Sequence, residues 1–281
     1  MRMNADPAVV TVWSDIGCPW ATLALHTLRA RARERGQRLF VDHRAFPLEL
    51  FNRRPTPKAI LDAEVAVIGS HRPELGWAPW VAAEATYPVT TLPAMEAVQA
   101  AKDLAVGGLT GSDELDAALR RAFYTEGRCI SLHPVILDVA EGCPHVDADA
   151  LAAALAEGAG RAAVYQQWKV AAGPAVQGSP HLFTAGGYAA HNPGVDYHWT
   201  AGPGFGFPRL ESYRTEWTET LLDTLAAGQP AASGHGGPAA SGHGGPAASG
   251  HGGPAASGHG GPAVAGRTVA APQDERRPST S

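Results

Sequence analysis

The sequence contains few of the features that mark secreted, membrane or nucleic-acid-binding proteins. Its 281 residues include only three cysteines, an odd and sparse set that does not form a disulfide framework. The N-terminus lacks the apolar stretch of a signal peptide, and no run of 18 apolar residues could span a membrane. The formal net charge of −5 provides no basic face for nucleic acid. These absences predict a cytoplasmic protein with reduced thiols and neither a membrane nor a nucleic-acid partner.

The C-terminal part of the chain is a low-complexity segment. Four copies of Pro-Ala-Ala-Ser-Gly-His-Gly-Gly run from Pro230 to Gly261. Such a segment has no large apolar residue to offset the entropy lost on ordering, so a disordered tail is predicted over 228–281. A histidine every eight residues is also a composition that can bind transition metals loosely, but we interpret the repeat as a tandemly expanded linker.

The remaining residues show a pattern typical of an α/β protein. A β-branched strand at 9–13, a helix at 22–35 and a second strand at 39–46 predict a β-α-β unit with parallel strands. Apolar stripes at helical spacing fill residues 58–172 and predict an inserted helical domain. Strands return at 181–184 and 188–190 around a Gly186-Gly187 turn. The predicted boundaries are 1–53 and 174–227 for the two parts of the α/β domain, and 54–173 for the insertion.

The last predicted element before the tail is a long amphipathic helix. The apolar residues that define it are Leu210, Tyr213, Trp217, Leu221 and Leu225.

Cys18 stands where the first strand passes into the first helix. Pro19 fits the first helical position, because its missing N–H would be unpaired there anyway. Cys18 is therefore the predicted N-cap, facing the free backbone N–H groups of Trp20 and Ala21 and the positive end of the helix dipole. Both features favour the thiolate, so a lowered pKa and a nucleophilic role are predicted. The alternative is a small buried apolar side chain.

Two histidines follow the predicted strands. His191 and His198 flank a turn-like Asn192-Pro193-Gly194 segment. Since histidine titrates near neutrality, both are candidate acid/base groups for Cys18. Together with Cys18 they would suit zinc on paper, but we interpret them as hydrogen-bonded loop residues and predict no metal site.

Two motifs resemble those of the DsbA-type disulfide oxidoreductases. Residues 15–20, Asp-Ile-Gly-Cys-Pro-Trp, are similar to the family's D-x-x-C-P-W, and residues 176–183 are similar to its V-x-G-x-P-x-F segment. Residues 123–127 further resemble the helical insertion of the cytoplasmic FrnE-like branch. The resemblance implies a thioredoxin-like fold with an inserted all-helical domain. It also implies that Pro180 is cis beside the catalytic Cys18, with Pro19, Trp20 and Ser179 binding the substrate.

The sequence departs from this family at Ala21, which replaces the second cysteine of the C-x-x-C site. The favoured interpretation is a monothiol oxidoreductase, in which a small thiol such as glutathione or mycothiol resolves a mixed disulfide at Cys18. Alternatively, Cys129 or Cys143 resolves it. The redox function could also be lost, leaving a thiol-dependent transferase or isomerase of the kappa-class glutathione transferase or 2-hydroxychromene-2-carboxylate isomerase kind, or a non-catalytic binding protein.

We therefore predict an enzyme with no tightly bound cofactor, a small thiol as candidate cosubstrate and a thiol or disulfide-containing substrate. The sequence does not predict an oligomeric state.

Overall fold

The computed structural model describes residue 6 and residues 8–201 and 205–228. The predicted tail lies outside the described residues apart from Gly228. In chain order the strands are β1 (Val9–Ser14), β2 (Phe40–Ala45), β3 (His181–Thr184), β4 (Ala189–His191), β5 (Val195–Trp199) and β6 (Pro208–Tyr213). The helices are α1 (Pro19–Glu34), α2 (Leu48–Asn52), α3 (Lys58–His71), α4 (Leu92–Ala100), α5 (Gly108–Tyr124), α6 (His133–Glu141), α7 (Ala148–Ala156), α8 (Arg161–Ala171) and α9 (Trp217–Gly228).

The main sheet has the strand order β2-β1-β3-β4. β1 pairs in parallel with β2 and antiparallel with β3, so Val12 lies between His43 and Leu182. β3 and β4 form an antiparallel hairpin around the glycine turn at 186–187. The predicted β-α-β unit and the predicted hairpin are both confirmed.

Both faces of β1 are buried, because apolar residues occupy both sides of the strand. Val10 and Val12 pack on α1 and α9, in a cluster that includes Leu28 and Leu221. Trp13 faces the other way, into a cluster with Phe183. A strand covered on both sides needs a nearly continuous apolar run rather than an alternating one, and the Val-Val-Thr-Val-Trp sequence provides it.

Seven helices separate β2 from β3. A buried apolar cluster runs through α3 to α8 and also includes Ile16 and Ala45 at the end of the sheet. Hydrophobic packing is therefore continuous from the helices to the loop that carries Cys18, while the boundaries 54–173 for an inserted domain stay a prediction. Among the described residues, no helix combines the length and the apolar character needed to cross a membrane.

The predicted long C-terminal helix is wrong in its first half. Leu210 and Tyr213 lie in β6, which pairs antiparallel with β5 in a separate two-stranded sheet. The two residues are three apart, a helical spacing, but β5 supplies a hydrogen-bonding partner that sequence spacing alone does not reveal. Only the part from Trp217 onward is helical, as α9.

Candidate active site around Cys18

The loop before α1 is held by one carboxylate. The Asp15 side chain accepts hydrogen bonds from the backbone N–H of Gly17 at 2.7 Å and of Leu48 at 2.8 Å, and from the Thr91 hydroxyl at 2.8 Å. The Cys18 N–H donates to the Asp15 carbonyl at 3.2 Å. Cys18 has an extended backbone and is the N-cap of α1, with Pro19 in the first turn, which confirms the predicted position. The thiol is thus presented from a rigid turn.

A second loop meets the cysteine from β3. The Ser179–Pro180 peptide is cis, and the Cys18 Sγ donates to the Ser179 carbonyl oxygen at 3.3 Å. The Asp15 N–H donates to the Ser179 hydroxyl at 3.0 Å. The Asn192 N–H donates to the Pro180 carbonyl at 2.9 Å, which fixes this loop to the residue after β4. The structure therefore brings Cys18 next to Ser179 and Pro180, which follow it by more than 160 positions in the sequence.

The predicted lowering of the Cys18 pKa is wrong for this arrangement. Burial, which leaves the residue 5% exposed, raises the pKa of the Cys18 thiol to about 11. The Ser179 side chain and the backbone N–H of Ala21 interact favourably with the thiolate and lower the pKa, but Glu64 and Asp15 raise it further. Desolvation and two nearby carboxyl groups outweigh the helix terminus, and neither could be inferred from the local sequence.

Glu64 is a site residue that the sequence analysis missed. It lies on the inner face of α3 beside Leu61, Val65 and Ile68, and only 8% of it is exposed. No ion pair to Glu64 occurs in the described part of the chain. The available signal was a glutamate within an apolar helical stripe, where a charge is costly to bury.

The environment of the Glu64 carboxyl is mainly aromatic. Burial raises its pKa to about 7, and the indoles of Trp20 and Trp199 partly oppose this shift. The Trp20 Nε1 makes no hydrogen bond of normal geometry. The indole therefore lowers the pKa of Glu64 as a nearby dipole rather than through a hydrogen bond. Glu64 therefore changes its charge within the neutral pH range.

The hairpin formed by β5 and β6 covers the site. The Tyr197 ring packs against the Trp20 ring, tilted by 31° with ring centroids 4.2 Å apart, and the hydroxyl groups of Tyr213 and Thr27 are 2.6 Å apart. Two of the three predicted substrate-binding residues, Pro19 and Trp20, are buried. Val195 and Leu210 of the hairpin also pack on the buried cluster that contains Cys18 and Trp20. The hairpin is therefore one of the elements that restrict access to Cys18.

The two predicted acid/base histidines have different positions. His191 packs against the loop before Pro180, where a Cβ on Gly178 would lie 2.5 Å from its Nε2. His191 also lies edge-on to His181, with ring centroids 5.8 Å apart, and partial burial of its ring lowers its pKa. His198 lies on the exposed side of β5, with its Nδ1 3.5 Å from Glu211 Oε1. The hydrogen bond of the Cys18 thiol goes to neither histidine.

Arg120 of α5 is a second residue that the sequence analysis missed. Its buried guanidinium donates to the Asp15 carbonyl at 3.1 Å, to the Thr22 hydroxyl at 2.8 Å and to the Ser14 hydroxyl at 3.0 Å. The Nε donates to both carboxylate oxygens of Asp116 at 3.0 and 2.9 Å. Arg120 therefore connects the helices between β2 and β3 to the cysteine loop.

Two further bonds complete this connection. The Thr22 hydroxyl donates to the Cys18 carbonyl at 3.1 Å, and the Tyr124 hydroxyl donates to the Ile16 carbonyl at 3.2 Å. The helices between β2 and β3 thus hold the cysteine loop at its carbonyl groups as well as through Asp15.

Comparison with known proteins agrees with this architecture. The family described as the DSBA-like thioredoxin domain matches residues 9–198. The chain belongs to this family. Its fold is accordingly thioredoxin-like, with the helices placed between β2 and β3. A search of curated proteins gives no match.

Solved structures resemble this family member at low identity. A putative protein disulfide isomerase from Nitrosomonas europaea is 15% identical with a TM-score of 0.51, covering 78% of this chain and 97% of its own. A probable DsbA oxidoreductase from Streptomyces coelicolor is 18% identical with a TM-score of 0.50, covering 80% and 92%. The cytosolic disulfide reductase DsbM from Pseudomonas aeruginosa is 20% identical with a TM-score of 0.48, covering 78% and 99%. At these identities the likeness to the first two structures concerns the fold alone.

The other two cysteines of this DSBA-like chain are free. Cys143 is buried in the helical core, where its Sγ donates to the Val139 carbonyl at 3.4 Å and burial raises its pKa to about 11. Cys129 is partly buried in the loop between α5 and α6. Ala21, at the family's second cysteine position, is fully buried.

A His43, Asp113 and Asp116 cluster has metal-ligand composition, with potential ligand atoms within 4.8 Å of one another. Arg29 lies 2.5 Å from Asp113 and 2.9 Å from Asp116. Although burial opposes ionisation, Arg29 and His43 lower the pKa of Asp113 to about 2. The cluster is therefore a buried ion-pair network, in which the Arg29 guanidinium pairs with both carboxylates.

Proposed function

We propose that this protein is a thiol–disulfide oxidoreductase that acts through Cys18 alone. Membership of the DSBA-like family supports a thiol–disulfide enzyme in general. The observation that carries the monothiol mechanism is the geometry at Cys18. Its Sγ is held on the Ser179 carbonyl, and the position of the resolving thiol is filled by the buried methyl group of Ala21.

The reaction has two exchange steps. In the first, the Cys18 thiol loses its proton, with His191 as the candidate carrier to solvent, and the thiolate attacks one sulfur of a disulfide. The new S–S bond forms as the old one breaks, and the electron pair leaves on the departing sulfur, which is thereby reduced. In the second, the thiolate of a small thiol attacks the substrate sulfur of the mixed disulfide. A new S–S bond joins these two sulfurs, and Cys18 leaves as a thiolate that takes up a proton. The cytoplasm, where such thiols are abundant and reduced, is the compartment that fits this cycle.

The other site residues serve this exchange by holding the reacting chain. Ser179 and Pro180 present backbone groups beside the sulfur, where they would align the substrate. Pro19 and Trp20 fix the first turn of α1 beneath the hairpin. Of the two histidines, His191 is the candidate proton carrier, because it contacts the loop that bears Ser179 while His198 faces outward.

The test is turnover of bis(2-hydroxyethyl) disulfide by the full chain with a reduced small thiol. We expect Cys18→Ser to abolish turnover and Cys129→Ser, the matched control, to retain it. Mass spectrometry of the stalled reaction should place the mixed disulfide on the peptide that contains Cys18. Full turnover by Cys18→Ser would contradict the proposal. Loss of turnover in Cys129→Ser would indicate an internal resolving thiol.

One observation favours the non-catalytic alternative, a binding protein on the same fold. Cys18 is buried, and its thiol has a raised pKa, which leaves little thiolate at neutral pH. Under this alternative, Cys18 would react with disulfides no faster than Cys143, which is buried in the helical core.

A further inference from the structure

A shallow, open cleft lies beside the cysteine loop. It borders Gly17, the residue before Cys18, and its wall includes the apolar side chains of Leu61, Tyr87 and Phe123. A concave, largely apolar space next to a nucleophile is the usual form of a substrate subsite. The groups that a substrate meets there would therefore select among substrates.

The charged side chains that line the cleft, Asp15 and Glu49, are both acidic. The Glu49 Oε1 accepts bonds from the Thr90 hydroxyl at 2.6 Å and from the N–H groups of Thr91 and Leu92 at 3.1 and 3.2 Å. All three bonds end on one oxygen, so the other oxygen takes no part in them. The carboxylate thus holds the start of α4 and still adds negative charge to the cleft.

Glu64 adds a third acidic group close to the sulfur. It is nine-tenths buried, and it is one of the two carboxyl groups whose charge acts on Cys18, with Asp15. The nearby buried cation, Arg120, is bound to Asp116. Burial raises the pKa of Asp15, and it raises the pKa of Glu64 to about 7. When these groups and Glu49 are ionised, they give the surroundings of the sulfur and the cleft a negative potential, which a low local dielectric strengthens.

We propose that Cys18 selects disulfides whose groups near the sulfur are cationic or neutral, and that Glu49 and Glu64 disfavour disulfides that carry carboxylates. This inference rests on the proposed function, since it names the substrate class of the same thiol. Of the two small thiols considered above, glutathione has two carboxylates and mycothiol has none. The inference therefore favours the uncharged thiol as the resolving partner.

The experiment uses three small disulfides of similar size and different charge: cystamine (cationic), bis(2-hydroxyethyl) disulfide (neutral) and 3,3′-dithiodipropionate (anionic). The reduced full chain reacts with each at low ionic strength and pH 8, where Glu64 is mostly ionised. In each case the Cys18 thiolate forms a bond to one probe sulfur and the other half leaves as a thiolate. Mass spectrometry follows the mass gain on the Cys18 peptide.

We expect the cationic probe to react at least about tenfold faster than the anionic one, after division by the same ratio for a free cysteine peptide. Glu49→Gln keeps the acceptor oxygen that holds α4 and removes the charge. It should lower this ratio at least about threefold, as should Glu64→Gln. Glu211→Gln, on the exposed side of the hairpin, is the control and should leave the ratio unchanged. High salt should reduce the ratio in the native protein.

Two results would overturn the inference: a ratio equal to that of the free peptide, or a ratio that both Gln variants leave unchanged. The neutral probe separates this failure from failure of the proposed function. If Cys18 reacts with the neutral disulfide in a cycle that a small thiol resets, the function stands whatever the charge preference. If it does not react, the proposed function fails first.

Discussion

Replacing Arg120 by Met is expected to destabilise the protein and to loosen the loop around Cys18. The guanidinium is 2% exposed and donates to Asp116 at 3.0 and 2.9 Å. It also donates to the Asp15 carbonyl at 3.1 Å and to the Ser14 hydroxyl at 3.0 Å. The methionine side chain fills a similar volume but donates to none of these groups. Asp116 then keeps only its pair with Arg29 at 2.9 Å, and the Asp15 carbonyl and the Ser14 hydroxyl lose this donor.

Removing one partner from a buried ion pair costs about 3 to 5 kcal/mol when the other charge is left unpaired. Asp116 keeps its pair with Arg29 at 2.9 Å, so the loss should lie at the lower end of this range. The lost bonds to the loop belong to the same network and are not added separately. We therefore expect the free energy of unfolding to fall by about 3 kcal/mol, a large share of the roughly 5 to 15 kcal/mol typical of native proteins. Arg120→Lys keeps the cation but not the planar set of donors, and its loss should be smaller, about 1 to 2 kcal/mol.

Urea unfolding followed by circular dichroism measures these differences. The matched control is Arg161→Met, since Arg161 pairs with Glu96 but is 58% exposed and should contribute much less to stability. Alkylation of the folded Arg120→Lys variant tests the loop itself. Cys18 should label faster by about fivefold or more through local opening, with Cys143 unchanged.

If the free energy of unfolding fell no more in Arg120→Met than in the Arg161→Met control, this prediction would be wrong. The buried network would then contribute no more to stability than the exposed pair does. Equal acceleration at Cys18 and Cys143 in Arg120→Lys would show that the whole fold opens, rather than the loop.

Three further predictions concern the same region. Glu64→Gln removes a charge that raises the pKa of Cys18, so the pH profile of Cys18 alkylation should move to lower pH; no movement would contradict the assigned coupling. Tyr197→Ala removes the ring contact with Trp20 in the first turn of α1. Opening of the hairpin should then speed alkylation of Cys18 by about fivefold or more; unchanged labelling would show that the reagent reaches Cys18 by a route that the hairpin does not cover. Burial lowers the pKa of His181 from 6.5 to about 4. Since the unfolded chain binds that proton first, stability should fall as pH drops from 6.5 toward 4, and His181→Gln should show a shallower slope in unfolding experiments.

The sequence was informative where local signals agree with one another. Three elements were predicted: the first strand, at 9–13, the helix that follows Cys18, and the hairpin around 186–187. β-branched runs, Pro at the first helical position and paired glycines each favour one local geometry. The motifs around Cys18 and Pro180 indicated the DSBA-like family, which the family comparison supports.

The sequence was less informative about the second sheet and the charge at the site. Leu210 and Tyr213 fit a helical stripe equally well, and only the pairing of β6 with β5 decides between strand and helix. The predicted lowering of the Cys18 pKa considered the helix N-terminus alone. Burial under the hairpin and the approach of Glu64 reverse its sign, and both depend on segments distant in the chain.

Local sequence was sufficient to predict the elements of the β-α-β unit and the position of Cys18 at a helix N-terminus, because these depend on residues within about one turn of each other. The surroundings of that cysteine depend on tertiary packing. Arg120, Glu64 and Tyr197 come from three elements that local patterns do not connect, and their packing sets the access, the charge and the rigidity of the thiol. Long-range packing controls these properties because desolvation and Coulomb interactions depend on distance in space rather than on separation along the chain.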